Sequence, residues 1–91
     1  MIDFKFYTDS GQGWLGVPAV MIKDLNIKDK ISKYSYLKNN MAYLEEDCDL
    51  MVFINAIKAQ GLIENKDYFI YDDYKDDQPI RYYPRFNPSL I

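Results

Sequence analysis

Few side chains in this sequence have the types and spacing that a catalytic or metal site requires. Histidine is absent, and there is one cysteine, Cys48. The usual general base and every Ser–His or Cys–His nucleophile pair are therefore missing. Structural zinc sites draw on several thiols and imidazoles, which this chain cannot supply. We accordingly assign no catalytic residue, no metal and no cofactor, which leaves only carboxylates for any enzymatic reaction.

The glycine-rich turn near the start of the chain is a candidate ligand contact. Its backbone N–H groups would suit a phosphate, but a phosphate loop opens directly onto a helix, and the residues after Gly13 have the pattern of a strand. A hairpin turn is therefore the favoured interpretation. Residues 81–85 (RYYPR) interleave bases with rings, a composition that can stack nucleobases. Together the two segments give a candidate nucleotide site: Gly11, Gln12, Gly13, Trp14, Arg81 and Arg85.

Acidic runs give a second candidate site, which suits a protein partner. Residues 45–49 contain four acids, and residues 64–77 contain six acids against two lysines. The first run lacks the spacing and glycine of a calcium loop, so helix capping is favoured there, and a surface loop is favoured for the second. Cys48 lies beside the predicted helix start and is interpreted as a quiet thiol. The predicted binding residues combine acids with tyrosine anchors: Glu45, Glu46, Asp72, Asp73, Asp76, Asp77, Tyr71 and Tyr74.

The composition indicates a single globular domain over residues 1–91. The chain is 48% hydrophobic and 27% charged, with nine tyrosines that suit half-buried strands and contact surfaces. Its net charge of −3 argues against direct nucleic-acid binding. One cysteine excludes an internal disulfide, and neither a signal peptide nor a long apolar run is present. We expect a cytoplasmic protein without membrane association.

Hydrophobic periodicity predicts the elements that position these residues. Asn26 is expected to end the first helix, Asp47 to cap the second and Gly61 to terminate it, and Trp14 is expected to help found the core. The fold class is α+β, a mostly antiparallel sheet of four to six strands with two helices in the order β-β-α-β-β-α-β(-β). Residues 87–91 are predicted to be a flexible tail. The predicted strands are 2–7, 14–17, 31–37, 41–46, 67–74 and an edge strand at 79–86, and the predicted helices are 18–27 and 49–60.

Two blocks of the sequence resemble a family of small uncharacterised proteins of bacteriophages and other mobile elements. YTDSGQGWLGVP (7–18) is similar to the family's Asp, Gly-His-Gly and Trp-Leu-x-Val, and ISKYSYLKNNMAYLEEDCD (31–49) is similar to its second block. A weaker likeness extends to residues 79–81 and the tyrosines that follow them. The family carries no settled activity. Gln12 stands where many relatives have histidine, so a histidine-dependent activity would be lost here, and a turn-stabilising or ligand-contacting role fits Gln12 better.

The resemblance implies an accessory protein that acts by binding in the cytoplasm of a bacterial host. The leading hypothesis is an inhibitor of a host defence nuclease or complex, similar to anti-CRISPR or anti-restriction proteins, whose acidic, tyrosine-rich surface meets a host protein or nucleoprotein complex. The alternative is a nucleotide-binding protein that sequesters a defence second messenger in a pocket formed by oligomers. A homo-oligomer is compatible with either hypothesis, and the sequence does not identify the partner.

Overall fold

The computed structural model describes residues 2–61 and 68–91, and the strands in this part of the chain form one mixed sheet. Its strands lie in the order β3 (Tyr36–Lys38), β4 (Met41–Glu45), β2 (Gly13–Pro18), β1 (Ile2–Thr8) and β5 (Tyr68–Tyr74). Neighbouring strands are antiparallel except β1 and β5, which are parallel. The predicted α+β class and the helix–strand order are confirmed. The elements are β1 (Ile2–Thr8), β2 (Gly13–Pro18), α1 (Ala19–Asp24), β3 (Tyr36–Lys38), β4 (Met41–Glu45), α2 (Leu50–Ala59) and β5 (Tyr68–Tyr74), with 3-10 turns at Lys28–Lys30, Pro79–Tyr82 and Pro88–Leu90.

One face of the sheet carries the larger core. Alternate side chains of a strand point to opposite faces, so Leu15 and Val17 share a face with the residues that oppose them, Leu44 and Ala42. All four are fully buried, and they pack in one cluster with residues of both helices, including Phe53. Both helices therefore cover the same side of the sheet, where apolar burial supplies most of the stability.

The opposite face carries a second, aromatic cluster. Trp14, Tyr36 and Ile80 are buried there, and Tyr7 and Tyr43 pack against them. Trp14 therefore does help to found a core, as predicted, but on the face away from the helices. The pairing of β1 with β2 explains this placement. Phe6 opposes Leu15 and the next residue, Tyr7, opposes Trp14, so Leu15 and Trp14 lie on opposite faces of the sheet.

The C-terminal segment covers this aromatic face and does not extend the sheet as a strand. The edge strand predicted at 79–86 is wrong: Pro79–Tyr82 is a 3-10 turn, and only an isolated bridge joins Arg85 to Tyr36. Two prolines in the segment remove backbone donors that a strand would need. The segment is held at its end instead, where Leu37 N donates to the Pro84 carbonyl at 2.9 Å.

Several predicted boundaries also shift. The strand predicted at 31–37 is reduced to Tyr36–Lys38, and α1 is shorter than the helix predicted at 18–27. Asp47 is not the N-cap, because α2 begins at Leu50 and the N-cap position belongs to Asp49. The strand predicted at 67–74 is present from Tyr68, and residue 67 lies outside the described residues.

The predicted helix ends are confirmed by their backbone geometry. Asn26 has φ 59° and its N–H bonds the Lys23 carbonyl, while Gly61 has φ 67° and bonds the Lys58 carbonyl. Asparagine and glycine both tolerate this left-handed conformation.

The segment predicted to be a flexible tail, residues 87–91, includes the 3-10 turn Pro88–Leu90. Among the described helices, none is long and apolar enough to cross a bilayer.

Candidate functional site

A cleft of about 330 Å³ opens on the aromatic face of the sheet. This volume lies near the lower end of the range for small-molecule sites, roughly 300–1,000 Å³. Four parts of the chain meet there: the β1–β2 turn, the segment before β3, the β4–α2 junction and the C-terminal segment. The side chains that line the cleft are Gln12, Trp14, Tyr34, Tyr36, Glu45, Cys48, Arg81 and Arg85.

The β1–β2 turn is tied to the C-terminal segment by an ion pair. Both Nε and Nη2 of Arg81 donate to the carboxylate of Asp9, the latter at 2.9 Å. The same carboxylate accepts the N–H groups of Gly11 and Gln12, each at 3.0 Å. The hydrogen bonds from Arg81 hold the pKa of Asp9 well below its usual value of 3.8. Asp9 therefore orders the turn and neutralises one of the two arginines of the cleft.

Replacing Asp9 by asparagine should lower the free energy of unfolding by about 0.5–1 kcal/mol at neutral pH and low salt. The amide can still accept from the turn, but the charge attraction to Arg81 is lost. Because the folded pKa of Asp9 is depressed, its contribution is complete well above pH 4 and is lost as the pH falls further. Urea unfolding should therefore show the wild type and Asp9→Asn converging between about pH 5 and pH 2.

Asp24→Asn provides the matched control, because Asp24 is exposed and forms no ion pair in the described part of the chain. The same change of charge there should alter stability by less than about 0.5 kcal/mol. A difference between the wild type and Asp9→Asn that persisted unchanged at acid pH would contradict the assignment of this pair.

A buried glutamine fixes the start of the arginine-bearing segment. Gln78 Nε2 donates to the carbonyl of Thr8, the last residue of β1, at 3.1 Å. It also donates to the carbonyl of Asp73 in β5 at 2.7 Å. The segment leaves the sheet at this point, and Pro79 begins the 3-10 turn that carries Arg81. Arg81 is thus positioned from both sides, by Gln78 and by Asp9.

Each arginine of the cleft lies over an aromatic ring. The guanidinium carbon of Arg81 is 5.2 Å from the ring centroid of Trp14, and that of Arg85 is 4.8 Å from the centroid of Tyr36. The two rings meet edge to face with centroids 6.1 Å apart. Cation–π contacts of this kind contribute about 0.5–1 kcal/mol each at exposed sites. They also fix the plane in which each guanidinium presents its N–H donors.

Arg85 is the uncompensated charge of the cleft. Its Nη1 donates to the Lys33 carbonyl at 3.4 Å. Within residues 2–61 and 68–91, the ion pair of Arg81 with Asp9 is the one salt bridge, so no described carboxylate neutralises Arg85. A guanidinium in this state has donors available for an anionic group, which it can bind through two parallel hydrogen bonds.

Glu45 contributes a buried carboxylate to the lining of the cleft. The residue is 4% exposed. Its Oε1 accepts from Nε2 of Gln12, and its Oε2 accepts the N–H groups of Asp47 at 3.1 Å and Cys48 at 2.8 Å. N–H donors, and not a cation, therefore compensate this charge among the described residues.

Cys48 lies at the rim of the cleft as an exposed free thiol. A hydrogen bond to Glu45 raises the pKa of the thiol above its usual value, and the neighbouring acids Asp49 and Asp47 act in the same direction. The thiol is therefore protonated at neutral pH. A protonated thiol is a poor nucleophile, so the electrostatics of this position oppose a catalytic role for Cys48.

A second buried carboxylate holds the tyrosine-bearing segment in place. Asp49 accepts from the backbone N–H of Ser32 at 3.0 Å and from the hydroxyls of Ser32 and Ser35. The Ser35 hydroxyl in turn accepts the N–H of Glu45 at 2.9 Å. Because these bonds engage residues 32–35 locally, the segment leaves the strand pairing that was predicted for it and presents Tyr34 and Tyr36 to the cleft.

The structure brings together most of the nucleotide site predicted from sequence. Gln12, Trp14, Arg81 and Arg85 all line the cleft. Gly11 and Gly13, the other two predicted residues, are not among the residues that line it. A Cβ at Gly11 would lie 3.4 Å from Arg81 Nη2, and one at Gly13 would lie 2.5 Å from the ring of Phe6. Sequence reasoning missed Tyr34, Tyr36 and Cys48, and it assigned Glu45 to the other site.

The predicted acidic, tyrosine-rich site is divided by the fold. Six of its residues lie on β5 or in the loop after it, at one edge of the sheet. Glu45 is the last residue of β4 and Glu46 follows it, three strands away from β5. Tyr74 is 57% exposed and donates to Asp76 at 3.0 Å. The six residues on the β5 side are Tyr71, Asp72, Asp73, Tyr74, Asp76 and Asp77.

Comparison with known protein families, with curated proteins and with solved structures finds no match to this chain. No group of three or more His, Cys, Asp or Glu side chains that could hold a metal ion occurs within the described ranges. The function must therefore be inferred from the cleft and from the surface at β5.

Proposed function

We propose that this protein binds a small anionic ligand that carries a planar ring, namely a nucleotide, in the cleft on the aromatic face. The observation that carries the proposal is Arg85, a guanidinium stacked on Tyr36 with no carboxylate partner in the described chain. A phosphate would supply that partner. The exposed ring of Tyr34 lies in the same cleft and offers a stacking surface for a base.

The proposed role is that of an accessory protein of a bacteriophage or mobile element that sequesters a nucleotide signal of host defence. Its support is the resemblance of residues 7–18 and 31–49 to such proteins. The first block supplies Gln12 and Trp14 to the cleft, and the second supplies Glu45. Sequestration requires binding alone and no catalytic group. One copy of the chain lines the cleft with eight side chains, so the proposal does not depend on an oligomer.

Arg85→Gln is expected to weaken nucleotide binding about 10- to 100-fold, because one or two charge-assisted hydrogen bonds to phosphate are lost. Isothermal titration calorimetry with a panel of mononucleotides at 50 mM salt, about a third of physiological ionic strength, would measure the change. The wild type should also be stabilised against heat, by about 2.7 kcal/mol at a ligand concentration of 100 Kd.

Lys58→Gln is the matched control, since it removes one positive charge from the last turn of α2, on the helix side of the sheet. Its affinity for nucleotides should equal that of the wild type. Cys48 provides a local readout, because it is the sole cysteine and lies in the cleft, so a bound nucleotide should slow its maleimide labelling. The absence of any binding or thermal shift with every nucleotide would overturn the proposed function.

The surface at β5 supports a second candidate function, inhibition of a host defence nuclease or complex by protein–protein contact. Tyr74 and Tyr82 are 57% and 74% exposed, and each donates its hydroxyl to an aspartate, Asp76 and Asp77 respectively. These contacts set rings and negative charges side by side, an arrangement that complements a basic nucleic-acid channel.

Charge reversal tests this second function. A tagged protein should retain a nuclease or defence complex from host lysate, and the double variant Asp76→Lys, Asp77→Lys should release it. Arg85→Gln should retain the complex, since Arg85 belongs to the cleft. Equal retention by the charge-reversed variant would remove the acidic surface as the binding determinant.

A further inference from the structure

We infer that the outer edge of β5 accepts an extended, basic segment of a partner protein as an additional strand of the sheet. The inference rests on the second candidate function proposed above, for which it names the binding mode and the partner's chemistry, and it does not depend on nucleotide binding. β5 ends the strand order, with β1 on its inner side and no described strand on its outer side. An open strand edge is a template for main-chain pairing with another chain.

The hydrogen bonds at the end of β5 show which of its backbone groups face outward. The N–H of Lys75, directly after β5, donates to the Thr8 carbonyl of β1 at 3.0 Å. Lys75 therefore directs its backbone toward β1. Because successive residues of a strand alternate, the N–H and C=O groups of Ile70, Asp72 and Tyr74 point away from β1. No backbone group of the described chain pairs with them.

The side chains of β5 suit an added strand. Ile70 and Tyr74 are exposed on one face of β5, and Tyr71 is exposed on the other. Side chains of this size can pack against those of a neighbouring strand on either face. β5 also lacks two devices that commonly block an edge, since it contains no proline and pairs with β1 over seven residues without a bulge.

The charges of this edge favour a basic partner over a second copy of the chain. Asp72 and Asp73 lie on opposite faces of β5, and Asp76 and Asp77 follow it. Within the described ranges, no lysine or arginine forms an ion pair with these four acids. A second copy would set one acidic strand beside another, and like charges directly opposite each other destabilise strand pairing. A strand that alternates lysine or arginine with apolar residues would instead pair these charges and cover the exposed side chains.

Peptides of about ten residues, the upper end of the usual strand length, test the inference on the unaltered protein. A capped peptide that alternates lysine with valine should bind, and the matched glutamate–valine peptide should bind at least about 10-fold more weakly. A lysine–valine peptide methylated at every backbone nitrogen keeps its charges but has no N–H donor, so it should also bind at least about 10-fold more weakly. Fluorescence anisotropy of labelled peptides would measure all three affinities. Equal binding of the methylated peptide would show attraction by charge alone and would overturn strand addition.

Two variants at one position separate the backbone of β5 from its charge. Asp72→Ala removes a carboxylate and keeps the outward N–H, and it should weaken binding of the lysine–valine peptide about 2- to 5-fold. Asp72→Pro removes the outward N–H as well, at an edge position where proline is tolerated, and it should weaken binding at least about 10-fold. Equal affinities of the two variants would contradict main-chain pairing at this edge. If Asp72→Pro does not fold, the methylated peptide remains decisive.

The other outcomes distinguish the inference from the function on which it rests. If the lysine–valine peptide does not bind, strand addition is wrong. The second candidate function would still stand if the tagged protein retained the host complex and the variant Asp76→Lys, Asp77→Lys released it. A wild-type dimer in size-exclusion chromatography that Asp72→Pro converts to a monomer would identify a second copy as the occupant and overturn the basic partner.

Discussion

Trp14→Ala is expected to lower the free energy of unfolding by about 3–5 kcal/mol, the range for removal of a large buried ring. Trp14 is 1% exposed and, with Tyr36 and Ile80, makes up the buried part of the aromatic cluster in the described chain. Small domains have stabilities of about 5–15 kcal/mol, so the variant would be close to the unfolding threshold. Urea denaturation followed by tyrosine fluorescence or circular dichroism would measure the loss.

Trp14→Phe separates the packing of Trp14 from its hydrogen-bonding capacity. Within the described structure, the buried Nε1 of Trp14 has no hydrogen-bond partner. Phenylalanine therefore loses ring volume but no hydrogen bond, and the expected cost is about 1–2 kcal/mol. Tyr34→Ala is the control in the same cleft, since Tyr34 is 56% exposed, and its stability should change by less than about 0.5 kcal/mol. A cost below 1 kcal/mol for Trp14→Ala would contradict the importance of the second cluster.

The cost of Trp14→Ala bears on function as well as on stability. Arg81 and the rings of Tyr36 and Trp14 form one continuous wall of the cleft. A variant that folds without the indole would lose the surface that orients the guanidinium of Arg81. The aromatic cluster therefore serves both as a small core and as part of the wall of the cleft, and we do not expect the helix-side core to compensate for its loss.

The elements of this fold could be predicted from sequence because each depends on local pattern. Alternation in residues 2–7, helical spacing in 49–60 and the left-handed propensity of Asn26 and Gly61 are all visible in a short window. The pairing predicted for residues 31–37 is present at Tyr36 and Leu37 but not at residues 31–35, for a reason outside that window. Asp49, which follows in the chain, binds the serines that precede β3 and removes them from the sheet.

The cleft could be predicted in part. The types of its residues can be read from the sequence, but the strand register that brings them together cannot. The sequence identified Gln12, Trp14 and the two arginines as chemistry-bearing groups. The alignment of Trp14 with Glu45 depends on how β2 pairs with β4, which no local pattern specifies. The sequence therefore grouped Glu45 with the acids next to it in the chain. In the structure Glu45 is buried, accepts hydrogen bonds from Gln12, Asp47 and Cys48, and lines the cleft.

The position of the segment that carries Arg81 and Arg85 was still harder to predict from the sequence. Prolines at 79 and 84 predicted an edge position for it, and edge strands do accept proline. The actual structure uses Gln78 and Asp9 to hold the segment across the aromatic face, and both contacts link residues about seventy positions apart. Long-range polar contacts of this kind leave no periodic signal in the chain.

Asp49→Ala is expected to destabilise the protein by about 2–4 kcal/mol, because it leaves several buried donors without an acceptor. The Ser32 N–H cannot rotate to a new partner, and Ser35 is fully buried. Asp49→Asn should cost about half as much, since the amide keeps one oxygen acceptor but presents an NH₂ group to the remaining hydroxyl. Urea unfolding at neutral pH would rank the three proteins.

Asp47→Ala is the control, because Asp47 is exposed, lies two residues away in the same junction and makes no side-chain hydrogen bond among the described contacts. Its stability should change by less than about 0.5 kcal/mol. The sequence predicts the opposite order, since it assigned the N-cap to Asp47, and capping losses are about 1 kcal/mol. A larger cost at Asp47 than at Asp49 would therefore restore the capping interpretation and contradict the network through Ser32 and Ser35 that positions the cleft tyrosines.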